Sequence, residues 1–461
     1  MVASLEKFNL SGLISRVRTG DGYADFARRF MPFDSVRCFV FACLIFCTSF
    51  FSSLAVSAEY PNENITYAPD IRTVQLYKSG FEMSSPVFQL NSTEHITLEF
   101  DDLDTESKAY KYTIRHCESD WTTSADLMPA EYISGYREEN ISDFQYSMNT
   151  AVRYVHYQAT FPGTNISPSI SGNYLLIVYL DDPAEPVFTR RFMVTEVSML
   201  SIEGAVHQGS KADEQLSKQQ IDFEIRLNGF KVLDIKREIK VVVQQDDRWD
   251  NALRNISPRF IRGEELDYRY DENIEFNGGS PYRNFDIKTL ASQTERIDKI
   301  HFDTANQVLL LPDKPRTYKN YVYDKDINGR FLIKNEVNAQ NSAIEADYAW
   351  VHFFLPFPAE LTNGEFYLMG ALTDWRMDET SRLQFNSKSM RYEKVLFLKQ
   401  GYYNYIYVML KKGNTKGDEF MIEGSHWETP HIYTIYVYYR QAGAQTDQLI
   451  AVQNINSIQQ N

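Results

Sequence analysis

Cysteine is scarce in this chain: its 461 residues hold four. Three of them, Cys38, Cys43 and Cys47, sit in one apolar run, so Cys117 stands alone in the remainder. A lone cysteine closes no internal disulfide, and without a second thiolate nearby it builds no tetrahedral thiolate zinc site. Basic charge is also in the minority, with 47 Lys and Arg against 62 Asp and Glu and a net charge of −15. No stretch gathers the cations needed to release counterions from a polyphosphate, which argues against nucleic-acid binding. Low-complexity runs, internal repeats and long helical periodicities are missing too. Coiled coils, collagen-like rods and extended disorder therefore drop out.

Only one long apolar run occurs, Cys38 to Ala58. Arg37 precedes it, its second half is rich in serine, and Val56 and Ala58 stand where a cleavage site needs small residues. That is the layout of a secretory signal peptide, expected to leave a mature chain that begins near Glu59. The thirty residues ahead of Met31 are unusual before an export signal, and Met31 as the initiator would give a conventional short basic leader. A membrane anchor fits less well, because no basic stop-transfer cluster follows. A lipoprotein built on Cys43 or Cys47 would have too short an apolar stretch in front of it. Loss of residues 1–58 makes the net charge −17. An exported chain without disulfides must rest on large hydrophobic cores, and about 400 residues are enough to build them.

What the chain has in quantity is aromatic residues, 30 Tyr and 30 Phe among them. Aromatic and β-branched side chains suit pleated, half-buried surfaces. The hydrophobic period is 2 almost throughout, as in Arg72-Thr-Val-Gln-Leu-Tyr77, His95-Ile-Thr-Leu-Glu-Phe100, Tyr110-Lys-Tyr-Thr-Ile-Arg115 and Tyr174-Leu-Leu-Ile-Val-Tyr179. The best helical candidates are short, at Ser124 to Tyr132 and Asp250 to Leu253. Short strands at regular spacing predict an all-β protein of tandem immunoglobulin-like β-sandwiches. The expected domains are 59–198, 199–345 and 346–461, the last opening after the polar stretch Asn335 to Ser342.

Candidate sites for chemistry are weak. Asp324-Lys-Asp-Ile-Asn-Gly329 has the oxygens and glycine of the first half of a calcium loop, but its twelfth position is Asn335 and Glu336 comes one residue late. With Asn320-Tyr-Val-Tyr323 and Arg330-Phe-Leu-Ile333 read as strands, the same residues make a hairpin turn. Asp101, Asp102, Asp104 and Glu106 read as a solvated acidic connection. His116 and Cys117 are adjacent, so on a strand they face opposite ways and make no simple dyad. No pair of carboxylates can be placed in a cleft from the sequence. The expectation is no catalytic residue, no metal site and no cofactor.

A resemblance rests on more than twenty positions. Tyr77-Lys-Ser-Gly80, Ser85-Pro86, Leu98-Glu-Phe-Asp-Asp-Leu103, Tyr110 to Cys117 with Asp120-Trp121, Glu131-Tyr132, Gly135-Tyr136, Ser171-Gly-Asn-Tyr174 and Thr189-Arg-Arg-Phe192 resemble the first domain of the type IX secretion system plug protein. The likeness continues through Arg248-Trp-Asp250, Asn277-Gly-Gly279, Arg283-Asn-Phe-Asp286 and Asp326-Ile-Asn-Gly329 to Leu398-Lys-Gln-Gly-Tyr-Tyr-Asn-Tyr405 and Ile422-Glu-Gly424. It implies a periplasmic, non-enzymatic β protein whose partner is the giant outer-membrane translocon barrel of that system, which it closes. Trp121, Tyr136 and Arg137 are the expected partner contacts, since aromatics and Arg concentrate binding energy. Phe366 to Trp375 and Gly401 to Val408 also resemble early-set immunoglobulin domains found beside glycan-active enzymes. On that alternative the protein is a glycan-binding accessory of the cell envelope, with Trp375 stacking on a sugar.

Overall fold

The computed structural model describes residues 60–337 and 339–458. The expected leader at 1–58 and the alternative start at Met31 lie outside them. Among the described residues no helix is long and apolar enough to cross a membrane. Strands dominate, and the helices are single turns such as Pro129–Tyr132 and Ser342–Glu345. The helix expected from Ser124 to Tyr132 is thus one turn, because Pro129 can only open it, and Asp250 to Leu253 is turn and strand entry.

Three sandwiches result, each with its own core. In the first, Ile71–Lys78, Ile96–Asp102, Val155–Phe161 and Asp143–Tyr146 form one sheet, in that order. Facing it are Ile65–Thr66, Phe188–Thr195, Gly172–Tyr179, Lys111–Cys117 and Glu139–Asn140, with Val87–Gln89 parallel to Phe188–Thr195. Alternate residues meet between the sheets, as Phe100, Tyr110, Tyr157, Phe188 and Phe192 do. Phe100 stacks on Tyr157 with ring centroids 4.9 Å apart. Such an aromatic pair adds about 1 kcal/mol to its area burial.

The second and third sandwiches interleave along the chain. Ser201–Gln208, Lys218–Arg226, Glu265–Asp267 and Phe260–Arg262 make one sheet of the second. Its facing sheet is Leu253–Ile256, Ile239–Gln245, Ile432–Tyr439 and Gln448–Asn456, in that order. The last hairpin therefore returns to pair Tyr439 with Ile239 and Tyr433 with Gln245. Everything between, from Arg283–Asp286 to the turn of helix Phe420–Glu423, forms the third sandwich. In it Asn306–Leu310 runs parallel to Tyr348–Pro356, and Arg283–Asp286 pairs with Gly401–Lys411. The sheets thus do not follow contiguous 199–345 and 346–461 domains. Strands on both sides of residue 345 share one core, and residues 432–456 belong to the second sandwich. A β-ladder is chosen by which apolar face remains uncovered, and local patterning does not carry that information.

Candidate functional site

The three sandwiches meet at a lattice of tryptophans and arginines. Trp121 follows Asp120 in a tight turn that puts its φ at 71°, a left-handed conformation rare for a bulky residue. This turn drives the indole inward, so Trp121 is only 4% exposed and packs edge-on against Trp249 at 5.0 Å. Arg191 covers it, with Cζ 4.4 Å from the ring centroid. Trp249 lies in turn on Tyr436 of the returning hairpin, at 5.4 Å. The expected exposed contact at Trp121 is therefore a buried junction residue. The φ > 0 turn that causes this leaves no mark in the hydrophobic period.

A second turn of the same kind carries Asp374 and Trp375, at φ 52° and 58°. Trp375 folds back over the third sandwich, with the Arg248 guanidinium 5.0 Å from one of its rings and Tyr282 at 5.9 Å. Gly329 approaches so closely that a Cβ there would stand 2.2 Å from the indole. Trp375 is half-buried, packed against Arg248, Tyr282 and Gly329. Residues held in left-handed backbone, Trp121, Asp246, Asp247, Asp374 and Trp375, thus converge on this junction. Each costs on the order of 1–3 kcal/mol, and such strain gathers where structure around it is over-determined.

Ion pairs tie the sandwiches across the junction. Arg190 of the first sandwich pairs with Asp374 of the third at 3.2 Å, and Arg376 with Glu63 at 2.7 Å. Arg330 of the third pairs with Asp247 of the second, whose other oxygen accepts from Ser85 at 2.5 Å. Farther along, Asp447 accepts from Ser119 Oγ at 2.7 Å and pairs with Lys240 at 2.9 Å, while Glu118 pairs with Arg440.

The deepest tie lies between the first and third sandwiches. Lys399 Nζ stands 2.5 Å from Asp101 Oδ2, and both side chains are 1% exposed. Tyr348 donates to the same oxygen at 2.6 Å, and His156 Nδ1 meets Oδ1 at 2.8 Å. Lys399 also donates to the Ala343 carbonyl at 2.6 Å and lies 4.2 Å from the Tyr154 ring. Burial pushes the Asp101 carboxyl up, but the Lys399 and His156 charges outweigh it and hold the group below the usual carboxylate range. Asp101 and Asp102, expected in a solvated acidic loop, are both buried; Asp102 accepts from Tyr110 at 2.8 Å. Sequence reasoning missed this because the partners Lys399 and Tyr348 lie roughly 250–300 residues away.

The other candidates separate cleanly. Tyr136 is 70% exposed and Arg137 is exposed beside it, with the Arg137 carbonyl accepting from Thr113. Phe144 and Tyr146, on the edge strand Asp143–Tyr146, are exposed as well and were not singled out from the sequence. Asp326 spends both oxygens on backbone N–H groups, of Tyr282 at 2.6 Å and Asn328 at 3.1 Å. Asn328 and Gly329 make the expected turn, at φ 51° and 75°, and Phe331–Ile333 is a strand. Residues 320–323 are not: they run as irregular chain with Val322 and Tyr323 exposed. Among the described residues no group of three or more His, Cys, Asp or Glu side chains is placed to hold a metal ion. His116 is buried, with Nδ1 2.8 Å from Ser124 Oγ, and burial lowers its pKa to about 4. Cys117 is fully buried and burial pushes its thiol up to about 12.

Comparison with known proteins bears on residues 71–196, which match the family model described as the type 9 secretion system plug protein 1st domain. That span is the first sandwich without its short edge strand Ile65–Thr66. A solved structure, a hypothetical protein from Parabacteroides merdae ATCC 43184, is 34% identical. The match covers 86% of this chain and 100% of that one, with a TM-score of 0.83. The B domain of a biofilm associated protein, 9% identical with a TM-score of 0.18, covers 84% of this chain and 86% of that one and carries no argument. No curated protein matches.

Proposed function

From the premise that this chain belongs to the type 9 secretion system plug family, we propose that it is the periplasmic stopper that closes the outer-membrane barrel of that system at rest. The family is a secretion-system plug and not an enzyme family. The observation that most favours a stopper is the set of buried ties between sandwiches, led by Asp101 and Lys399. A body that occludes a wide pore has to resist deformation, and three domains joined by flexible linkers would not. Here charged pairs bridge every pair of sandwiches: Arg190 to Asp374, Arg330 to Asp247, and Arg440 to Glu118. A stopper must also leave when substrate arrives, so its contact with the barrel belongs with transient interfaces. Tyr136 and Arg137, exposed on the first sandwich, are the contacts we assign to that interface.

The test is permeability of the outer membrane to a large antibiotic or dye. Deletion of this protein should raise it, and co-deletion of the barrel should return it to normal. Unchanged permeability on deletion, together with lost growth on a polysaccharide, would replace the stopper with a glycan-binding accessory.

A further inference from the structure

Beside the tryptophan junction lies a cavity of about 690 Å³, bordered by Arg191, Trp249, Arg254, Asp374, Trp375 and Arg376. Its volume falls within the ~300–1,000 Å³ of small-molecule sites. The carboxylates around it are all engaged. Glu63 pairs with Arg376 at 2.7 Å, Asp374 with Arg190 at 3.2 Å and Asp250 with Arg248 at 2.7 Å. Asp120 accepts the N–H and hydroxyl of Thr122 at 2.9 and 2.6 Å.

Two of the cations are not engaged in this way. Arg191 gives its Nε to the Asn62 carbonyl at 2.6 Å and forms no ion pair among the described residues. Arg254 forms none either; it reaches only the Trp249 carbonyl, at 3.5 Å, and its buried Nε has no partner. Their Cζ atoms each lie 5.8 Å from a Trp249 ring centroid, and both side chains line the same cavity as that indole. The Trp121 indole beneath Arg191 is a second buried donor without a partner at Nε1. Burial lowers the Arg191 pKa to about 10; the Glu63 charge opposes that shift and the Arg254 charge adds to it. A native fold rarely leaves buried donors unmatched, and the carboxylates that act on these two cations, Glu63 on Arg191 and Asp120 on Arg254, do so without a direct ion pair.

We propose that this cavity binds a small oxyanion, of the phosphate or carboxylate class, between the guanidinium groups of Arg191 and Arg254 beside Trp249. Each guanidinium offers a planar fork of donors that matches two oxygens of such a group. The bound group would pair directly with both cations, which Glu63 and Asp120 act on only through space. Because Trp249 touches both, binding reports on its fluorescence. The inference stands apart from the stopper reading, since a protein that closes no barrel would bind the anion equally well.

The experiment titrates the purified protein with inorganic phosphate and with citrate, using chloride at matched ionic strength as the reference, and follows tryptophan emission. A saturable change with phosphate or citrate, absent with chloride, is expected. It should weaken at least tenfold in Arg254→Gln and in Arg191→Gln. Arg254→Lys keeps the charge but loses the fork and should also weaken binding, which covers the case in which a glutamine variant does not fold. A response equal to that of chloride, or binding as tight in the folded variants as in the parent, overturns the proposal.

Discussion

Replacing Lys399 with Met would test whether the tie between the first and third sandwiches holds the body together. Methionine retains most of the aliphatic volume but leaves Asp101 facing Tyr348 and His156 with its closest cation removed. Breaking a buried pair on one side costs about 3–5 kcal/mol, because the remaining charge stays desolvated. The Ala343 carbonyl also loses its donor, for roughly 1 kcal/mol. The two hydrogen bonds that Asp101 keeps favour the lower part of that range, so about 3–4 kcal/mol is expected from urea unfolding at neutral pH. The pH dependence carries the mechanism. In the parent the Asp101 pKa is depressed, so its contribution is present above the ordinary carboxylate range and is lost as pH falls through the lowered value. In the variant the same carboxyl is raised by burial, and its penalty disappears once acid neutralises it. The gap between variant and parent should therefore narrow toward acid. Asp101→Asn combined with Lys399→Met should recover most of the loss, since removing both charges leaves neither one unpaired. A single variant within about 0.5 kcal/mol of the parent, or a double variant as destabilised as the two singles added together, would refute this account.

Cys117, buried with its thiol pushed up to about 12, should resist quantitative thiol labelling in the native protein and react only on unfolding. His116, depressed to about 4 by burial, should titrate there by NMR; its contribution is present above the ordinary imidazole value and lost between about 6.5 and 4, worth roughly 3 kcal/mol. Gly329→Ala should destabilise by about 2 kcal/mol in thermal unfolding, as φ is 75° and the new methyl meets the Trp375 ring. Tyr136→Ala with Arg137→Ala should weaken capture of the barrel by about 2 kcal/mol, measured by co-purification or interferometry, with the unfolding midpoint unmoved.

The strands were legible from short aromatic and β-branched runs of two-residue period, and Ile96–Asp102, Lys111–Cys117 and Gly172–Tyr179 lie where those runs predict; only Lys111–Cys117 largely alternates in burial, since Gly172–Tyr179 is buried on both faces. Which strands pair was not. Ile432–Tyr439 reads like any buried strand, and nothing in its eight residues names Ile239–Gln245 as its neighbour. The candidate contacts divide along similar lines. Tyr136 is exposed, whereas Trp121 is turned inward by a left-handed φ. The Asp101 site was hidden for a different reason. An acidic run at a strand end looks solvated until a lysine almost three hundred residues on is brought against it.

The return of the final hairpin to the second sandwich also dictates a schedule. When Ile239–Gln245 has been made, the strand that will lie beside it, Ile432–Tyr439, is roughly 190 residues away. In a chain that folds after export, that sets a wait until the last strand has followed. During it the Val241 and Val243 face lacks half its core, and one edge of its sheet is open to any passing strand. The inserted sandwich has no such dependence, since its strands all lie between the two halves. It can fold first and bring the chain ends on either side of it together. A chain cut short after Glu423 should then keep its first and third cores while the second stays unfinished and prone to aggregation. Chaperone demand during export would thus centre on a stretch that looks unremarkable in the finished molecule.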